Sequence, residues 1–261
     1  MSTPPDDATK PRDDGYGRVQ RTLRRELPKR FYKAATVGPA GNGRFAVHLD
    51  GSPIRTPGKA KVEVPSEALA TRLAAEWAGQ GARIDPATMP LTRLVNTAIE
   101  SGATSMQALR AEIVRFAGSD LLLYRAEAPE ELVAKQAEFW DKALDLFAER
   151  FGVTFVPAMG IVHHPQPQAM LVRIAAIVAG FGPFSLMALT SATAIAGSAI
   201  LVLGAALDLF TRDFAWDAAH VDEDFNIVTS GADSEAAARR RYRRADFDAA
   251  LDVVEMVGLD A

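Results

Sequence analysis

The sequence predicts an α+β protein, in which a small N-terminal antiparallel β domain precedes a larger, mostly α-helical domain. Between residues 31 and 64, short apolar runs alternate with turn dipeptides, as in a meander of antiparallel strands. From Pro65 onward the apolar residues recur at the spacing of amphipathic helices. The chain has 261 residues, of which 48% are hydrophobic and 24% are charged, and this suffices for a substantial core.

The N-terminal residues 1–26 predict a disordered tail, because Pro, Gly, Asp, Ser and Thr dominate its opening stretch, MSTPPDDATKPRDDGYG. This stretch lacks the apolar segment of a secretory signal and is richer in aspartate than a mitochondrial transit peptide. We therefore expect a protein of the bacterial cytoplasm. Residues 27–65 are assigned to the β domain and residues 66–261 to the helical domain. The sequence contains no cysteine, so disulfides and thiol chemistry are excluded.

The predicted strands of the β domain are FYKAATV, RFAVHL, SPIRT and VEV. Asn42-Gly43 and Asp50-Gly51 separate the first three, and such dipeptides supply the positive φ angles of tight hairpin turns. In RFAVHL every second residue is a large apolar one, which predicts a strand with one buried face.

The helical domain is predicted from periodicity and from capping residues. Ser66 is a candidate N-cap for EALATRLAAEWAGQG, and Ser105 opens the helix MQALRAEIVRFAG. Pro129 begins a long helix with an apolar stripe. The members of that stripe are Val133, Ala137, Trp140, Leu144, Phe147 and Phe151. VTFVPAMGIVHH predicts an extended segment, and QAMLVRIAAIVAG predicts another helix. Two amphipathic helices are predicted after the apolar stretch: TRDFAWDAAHVDEDF and DSEAAARRRYRRADFDAALDVVEMVG.

Residues 184–207 carry no charge, which raises the alternative of a membrane span. A helix of this length would reach about 36 Å, enough for a hydrocarbon core of roughly 30 Å. Pro183 interrupts the longer apolar run, however, and Thr190, Ser191 and Thr193 dilute it. The stretch also lacks basic or aromatic anchors at both ends. Because the neighbouring helices are amphipathic, we predict the buried centre of a helical bundle.

Candidate catalytic residues are few. His163 and His164 together with the carboxylates of Asp222–Asp224 suggest one enzymatic alternative, a metal-dependent hydrolase. Adjacent histidines point to opposite sides of a strand, however, so they share a metal only if the backbone bends. The three carboxylates are expected near a helix C-terminus, where they oppose the helix dipole and therefore suggest a role toward a partner. No phosphate-binding glycine loop or G-x-S-x-G motif is present, and we predict neither an enzyme nor a cofactor.

The basic run RRRYRR at 239–244 is the one candidate for nucleic-acid binding. Two of its arginines have acidic partners four residues away, Glu235 with Arg239 and Arg244 with Asp248. Such pairs are typical of a solvated helix, and the net charge of −4 does not favour nucleic acid. We predict no nucleic-acid partner.

Five segments, in this order, resemble the ATP synthase assembly chaperones of mitochondria and alpha-proteobacteria. They are LPKRFYKAATV, FAVHLDGSPIRTPGKAKVEVP, LAAEWAGQGARIDPATMPLTRLVNTAIE, DLLLYRAEAPEELVAKQAEFWDKAL and AHVDEDFNI. The resemblance extends from residue 27 to about residue 250. It implies a small β domain joined to a helical domain, and a chaperone without enzymatic activity or nucleotide. It further implies that the client is the unassembled alpha subunit of the catalytic head, held until the beta subunit replaces the chaperone.

The resemblance also implies site residues. Asp222, Glu223 and Asp224 match an acidic triplet of the family, and Glu223 is the favoured client contact. Ser230 stands near a position where the family usually has tryptophan. The residues that match the family's most recognisable motif, with an expected structural role, are Trp77, Asp85, Pro86, Met89, Pro90, Leu91, Thr92, Arg93 and Asn96. The free protein is expected to be a monomer outside the membrane, cytoplasmic in bacteria, whereas its eukaryotic relatives are expected in the mitochondrial matrix.

Overall fold

The computed structural model describes residues 27–231 and 234–258, so the predicted tail lies outside the described residues. The predicted α+β class is confirmed, because an antiparallel sheet comes first and a larger helical region follows. The boundary at residues 65 and 66 stays a prediction. One hydrophobic core cluster contains residues of both regions, among them Val47 of the sheet and Leu189 of the helices.

The sheet contains β1 (Ala35–Gly41), β2 (Arg44–Leu49), β3 (Ser52–Pro53) and β4 (Glu63–Val64). The central strand β2 pairs antiparallel with all three others. Strand β1 has seven residues, as FYKAATV does, but it is displaced by four residues and includes Gly38–Gly41 of the predicted turn region. Strand β3 is shorter than SPIRT, because only Ser52 and Pro53 pair regularly with β2.

Both predicted hairpin turns are present. Asn42 and Gly43 have φ angles of 50° and 71°, and Asp50 and Gly51 have 47° and 86°. The Asp50 carboxylate additionally accepts hydrogen bonds from the backbone of Lys33 and Ala34, at 2.9–3.1 Å. The two dipeptides therefore supply the φ angles of these turns, and Asp50 also ties its turn to the segment before β1.

Eleven helices are described, with two short parallel strands among them. The helices are α1 (Glu67–Ala78), α2 (Pro90–Thr97), α3 (Ala103–Gly118), α4 (Glu130–Gln136), α5 (Lys142–Phe151), α6 (Gln168–Ala179), α7 (Pro183–Ala196), α8 (Ala199–Ala206), α9 (Arg212–Ala219), α10 (Val221–Ser230) and α11 (Ser234–Val257). The strands are β5 (Tyr124–Arg125) and β6 (Ala158–Met159). One turn of 3₁₀-helix, Pro86–Thr88, precedes α2, and another, Leu121–Leu123, precedes β5. One π-helical turn, Ala98–Gly102, joins α2 to α3, and a second, Ala137–Asp141, joins α4 to α5.

Helix α1 connects the sheet to the helices. Ser66 is its N-cap, as predicted, and accepts a hydrogen bond from the Leu69 backbone amide. Leu69 and Leu73 are fully buried, and α1 packs against β1 and β2. Pro129 lies one position before α4 as its N-cap residue rather than within the first turn.

The charge-free stretch is buried core, as predicted, but it forms two helices. Gly197, with φ 68°, ends α7, and Ser198 caps α8 by accepting from the Leu201 amide at 3.0 Å. Residues 199–204 are all buried. Among residues 27–231 and 234–258, no helix is both long enough and apolar enough to cross a membrane.

A buried carboxylate holds the α7–α8 break. Asp120 is fully buried, and it accepts hydrogen bonds from the backbone amides of Leu122, at 3.2 Å, and Ile200, at 3.0 Å. The Ser198 hydroxyl also bonds to it. The Leu121 amide donates to the Gly197 carbonyl at 3.1 Å. A loop 80 residues away in sequence therefore fixes the start of the most buried helix.

Candidate functional site

The acidic triplet Asp222–Asp224 lies in the first turn of α10. The expectation that it lies near a helix C-terminus is wrong, because α9 ends at Ala219 and a new helix begins at Val221. Carboxylates in the first turn of a helix interact favourably with the helix dipole. The triplet therefore stabilises its own helix, and the dipole argument for a partner no longer applies.

Two arginines of α11 neutralise much of the triplet. Arg240 grips the Asp224 carboxylate with both terminal nitrogens, one of them at 2.9 Å. Arg243 donates to Glu223 at 3.4 Å, and Arg240 lies 3.8 Å from the other Glu223 oxygen. The side chains of Glu223 and Asp224 keep 35% and 47% of their surface exposed. The result is a polar, ion-paired surface patch that can still be contacted from outside.

His220 lies beneath this patch and is buried. Its Nδ1 is 2.7 Å from the Trp216 carbonyl, and its Nε2 is 3.2 Å from the Arg243 guanidinium. A neutral ring with its proton on Nδ1 satisfies both contacts, donating to the carbonyl and accepting from the arginine. Burial lowers the pKa of His220, and the positive charges of Arg240 and Arg243 lower it further.

This lowered pKa predicts a pH dependence of stability. The pKa of His220 in the unfolded chain is about 6.5, and below that pH the unfolded chain binds a proton at His220 more readily than the folded chain does. The His220 contribution therefore leaves the free energy of unfolding constant above about pH 6.5 and lowers it as the pH falls from there toward the folded pKa. Urea unfolding between about pH 5 and 8 measures this trend. In His220→Gln the slope in that window should be shallower than in the wild type, and equal slopes would contradict the assignment.

Two side chains one helical turn apart hold the α9–α10 junction from the other side. Gln136 donates to the Asp222 carboxylate at 2.7 Å and accepts from the Ala126 amide at 2.8 Å. Trp140, which is fully buried, donates through Nε1 to the Ala218 carbonyl at 2.8 Å. The position of the triplet thus depends on α4 and its π-helical extension as well as on α11.

The basic run forms more ion pairs than its sequence spacing predicted. The pairs Glu235–Arg239 and Arg244–Asp248 form, at 2.7 and 2.8 Å, as their spacing predicts. The contacts of Arg240 and Arg243 with the triplet were missed. The signal for them was the presence of two oppositely charged blocks in consecutive helices, with Gly231 after the first helix.

The motif residues meet at the start of α2. Asp85 caps the 3₁₀ turn by accepting from the Ala87 amide at 3.0 Å. The Glu76 carboxylate accepts from the amides of Leu91 and Thr92, both at 2.8 Å, and from the Thr92 hydroxyl at 2.7 Å. Burial raises the pKa of Glu76, and the hydrogen bonds from Thr92 and Leu91 oppose that effect. Sequence reasoning missed Glu76, which occupies the position before the motif tryptophan.

The remaining motif residues also lie around this junction. Met89 and Leu91 are buried, and Arg93 forms an ion pair with Asp246 of α11. Trp77 is only partly buried, and its ring lies 5.7 Å from that of Tyr32. Pro86 begins the 3₁₀ turn, and its carbonyl accepts from the Met89 amide at 3.1 Å, whereas Pro90 and Asn96 lie in α2. The structural role expected for the motif stays a prediction, and these contacts support it.

The two histidines of the enzymatic alternative lie between β6 and α6, and, among the described residues, none of their hydrogen bonds is to the carboxylates of α10. Both are exposed, and His163 Nδ1 lies 3.1 Å from the Tyr124 hydroxyl. Within the described part of the chain, no three His, Asp or Glu side chains cluster closely enough to hold a metal ion. The hydrolase alternative therefore gains no support from the geometry.

Comparisons with known proteins agree with this architecture. The family model described as ATP12 chaperone protein matches residues 29–148. The chain is 30% identical over 158 residues to the mitochondrial protein atp12 of Schizosaccharomyces pombe and spans 54% of that relative's length. Among solved structures, the Atu1473 protein of Agrobacterium tumefaciens matches with a TM-score of 0.85 and 42% identity, over 94% of this chain and 91% of the other. Atp12 from Paracoccus denitrificans matches with a TM-score of 0.80 and 35% identity, over 88% and 98%.

The class is a chaperone of α+β architecture. It is defined by the small antiparallel sheet, by the helical region around the charge-free stretch 184–207 and by these similarities. The chain belongs to the ATP12 chaperone family, the ATP synthase assembly chaperones that its motifs resemble.

Proposed function

We propose that this protein binds the unassembled alpha subunit of the ATP synthase catalytic head and covers its subunit interface until the beta subunit replaces the chaperone. The observation that carries the proposal is the similarity to Paracoccus denitrificans Atp12 over 98% of that chain. An unassembled subunit exposes an apolar surface that aggregates unless it is covered. The proposal includes action as a cytoplasmic monomer, without catalysis and without a cofactor.

Within this proposal, the acidic patch formed by Asp222, Glu223 and Asp224 contacts the client. Glu223 and Asp224 are partly exposed although they are ion-paired, so a client arginine or lysine can share them. Partly exposed charges contribute more to partner choice and association rate than to affinity. Such a contact suits a cover that must later leave.

The first experiment is co-expression with the alpha subunit alone, followed by size-exclusion chromatography of the soluble fraction. We expect a stoichiometric complex that dissociates when beta subunit is added. Co-expression with the beta subunit alone is the control and should yield no complex. Aggregation of the alpha subunit while this protein elutes alone would refute the proposal.

Charge reversal tests the role of Glu223. Glu223→Lys should reduce the fraction of alpha subunit recovered in the complex at least tenfold. The structure also shows that the new lysine would face Arg240 and Arg243, so local repulsion accompanies any lost contact. Glu223→Gln, which keeps the shape and removes the charge, should cause a smaller loss in the same direction. Recovery is measured by quantitative chromatography at equal expression.

The matched control is Glu149→Lys, the same change at an exposed glutamate of α5. It should leave recovery unchanged. Circular dichroism and urea unfolding of all three variants show whether they remain folded. If Glu223→Gln is folded and binds like the wild type, the charge of Glu223 does not contribute to client binding.

A further inference from the structure

An open groove of about 830 Å³ lies between α3, α6 and the segment that follows β6. Its floor is apolar and includes Val114, Leu171 and Val178. This volume is within the range of sites that bind ligands or peptide side chains. The family motif and the acidic patch do not use the groove.

Large apolar side chains are exposed on the two segments that supply lining residues of this groove, the one that leads into His163 and α6. Met159 at the end of β6 is 55% exposed. In the segment that follows, Ile161 is 93% exposed and Val162 is 65% exposed. On α6, Val172 is 58% exposed. Isolated exposed apolar residues are ordinary, but several together next to an apolar groove are typical of a protein interaction surface.

The exposed segment is held in place. The buried Gln166 side chain accepts from the Val156 amide and donates to the Val156 carbonyl, both at 2.9 Å. At the other end, the Gly160 amide donates to the Arg125 carbonyl at 2.8 Å. The Gln166 side chain and the Gly160 amide therefore anchor the segment that carries Met159 and its neighbours.

The charge of the groove is one-sided. Arg110 and Arg115 are among its lining residues, and no carboxylate is. Glu112 holds Arg115 in an ion pair at 2.6 Å, so Arg110 is the lining arginine without a carboxylate partner in the described part of the chain. The Arg110 Nη2 donates to the carbonyls of Ala179 and Phe181, at 3.0 and 3.1 Å, whereas its buried Nε has no acceptor among the described residues. The guanidinium bonds only to neutral carbonyls, so its positive charge favours an occupant that carries a carboxylate.

We propose that this groove binds an apolar segment of the client that carries a carboxylate. The inference rests on the proposed function and names the part of the client that the chaperone covers. The acidic patch consists of ion-paired side chains and offers little apolar area, whereas the groove and Ile161 offer the apolar area that shielding a subunit interface requires. The segment 1–26 fits less well, because it contains few large apolar residues.

Two adjacent alanines on α6 test the groove. Ala175 and Ala176 are both exposed, but only Ala175 lines the groove. Ala175→Trp should fill the groove and reduce the fraction of co-expressed alpha subunit in the complex at least fivefold, with unchanged circular dichroism. Ala176→Trp, with the same added bulk, should change it less than twofold. If the wild type forms the complex and both variants bind equally well, the groove proposal is refuted while the proposed function stands.

Photo-crosslinking identifies the occupant. Benzoylphenylalanine replaces Ile161, and as a control Phe31, which is 75% exposed in the β region. In the complex, position 161 should crosslink to a client peptide containing apolar residues and Asp or Glu, and position 31 should not. Crosslinks from position 161 to residues 1–26 or to a second copy of the chain would overturn the proposal. If the wild type forms no complex with the alpha subunit, both the groove proposal and the proposed function fail.

Discussion

Asp120→Ala is expected to lower the free energy of unfolding by about 3 kcal/mol or more. The substitution leaves the amides of Leu122 and Ile200 and the hydroxyl of Ser198 without their acceptor in the interior. A buried donor without a partner costs about 1–3 kcal/mol. Asp120→Ala also removes the carboxylate that, together with Ser198, caps the start of α8. Urea denaturation with linear extrapolation measures the change.

Asp85→Ala is the matched control for this substitution. Asp85 and Asp120 both cap a 3₁₀ turn by accepting from the amide two residues later, but Asp85 is only partly buried and serves no second helix. Loss of such a cap costs about 1 kcal/mol. The amount by which Asp120→Ala lowers the free energy of unfolding more than Asp85→Ala then measures the contribution of burial and of the contact with the start of α8. Equal costs for the two substitutions would show that Asp120 acts only as a local cap.

The ionisation of Asp120 provides an independent check. Burial raises its pKa to about 6, against the opposing hydrogen bonds from Ser198, Ile200 and Leu122. Because the folded pKa lies above the unfolded value of 3.8, the folded chain binds the extra proton in that interval. Its contribution to stability therefore falls as the pH rises from about 4 to about 6, opposite to that of His220. In Asp120→Asn this part of the pH profile should be absent.

Much of the fold follows from local sequence signals. Asn42-Gly43 and Asp50-Gly51 form the predicted hairpins, and Ser66 caps the predicted helix, because the φ angles of these turns and the Ser66 cap depend mainly on neighbouring residues. The burial of the charge-free stretch was also predictable. Its composition and its amphipathic neighbours distinguish a core from a membrane span without knowledge of the tertiary contacts.

The breaks within predicted helices depend on distant residues. The α7–α8 break at Gly197 is completed by Asp120, and the α9–α10 break at His220 is completed by Arg243. Neither partner is a neighbour in sequence, so periodicity predicted continuous helices at both places. The error at His220 had a consequence for function, because it moved Asp222–Asp224 from the end of one helix to the start of another.

The acidic patch combines a structural role with the proposed contact. Arg240, Arg243 and Gln136 hold its three carboxylates, so any substitution there changes the folded protein as well as its surface. The apolar groove is built differently, because exposed residues such as Ile161 and Ala175 can be changed without disturbing the core. Variants in the groove therefore separate client binding from stability more cleanly than variants of the triplet.

Trp140→Ala is expected to lower the free energy of unfolding by about 3–5 kcal/mol, an effect as large as that of Asp120→Ala or larger. The indole is fully buried, and removing it leaves a cavity beneath the α9–α10 junction. Trp140→Phe keeps most of the ring and loses the hydrogen bond to the Ala218 carbonyl, which should cost about 1–3 kcal/mol. Urea unfolding of both variants gives these values.

Trp77→Phe separates the hydrogen bond of Trp140 from the change in ring size. The Nε1 atom of Trp77 is buried and has no partner among the described residues, so the same substitution there removes no hydrogen bond. We expect it to cost clearly less than Trp140→Phe, because it also removes an unpaired donor. Trp140→Phe should in addition reduce recovery of the alpha subunit complex at a temperature where the variant is fully folded, since Ala218 lies four residues before Asp222. Equal unfolding costs for the two tryptophans, with unchanged recovery, would show that the Trp140 hydrogen bond neither stabilises the junction nor positions the acidic patch.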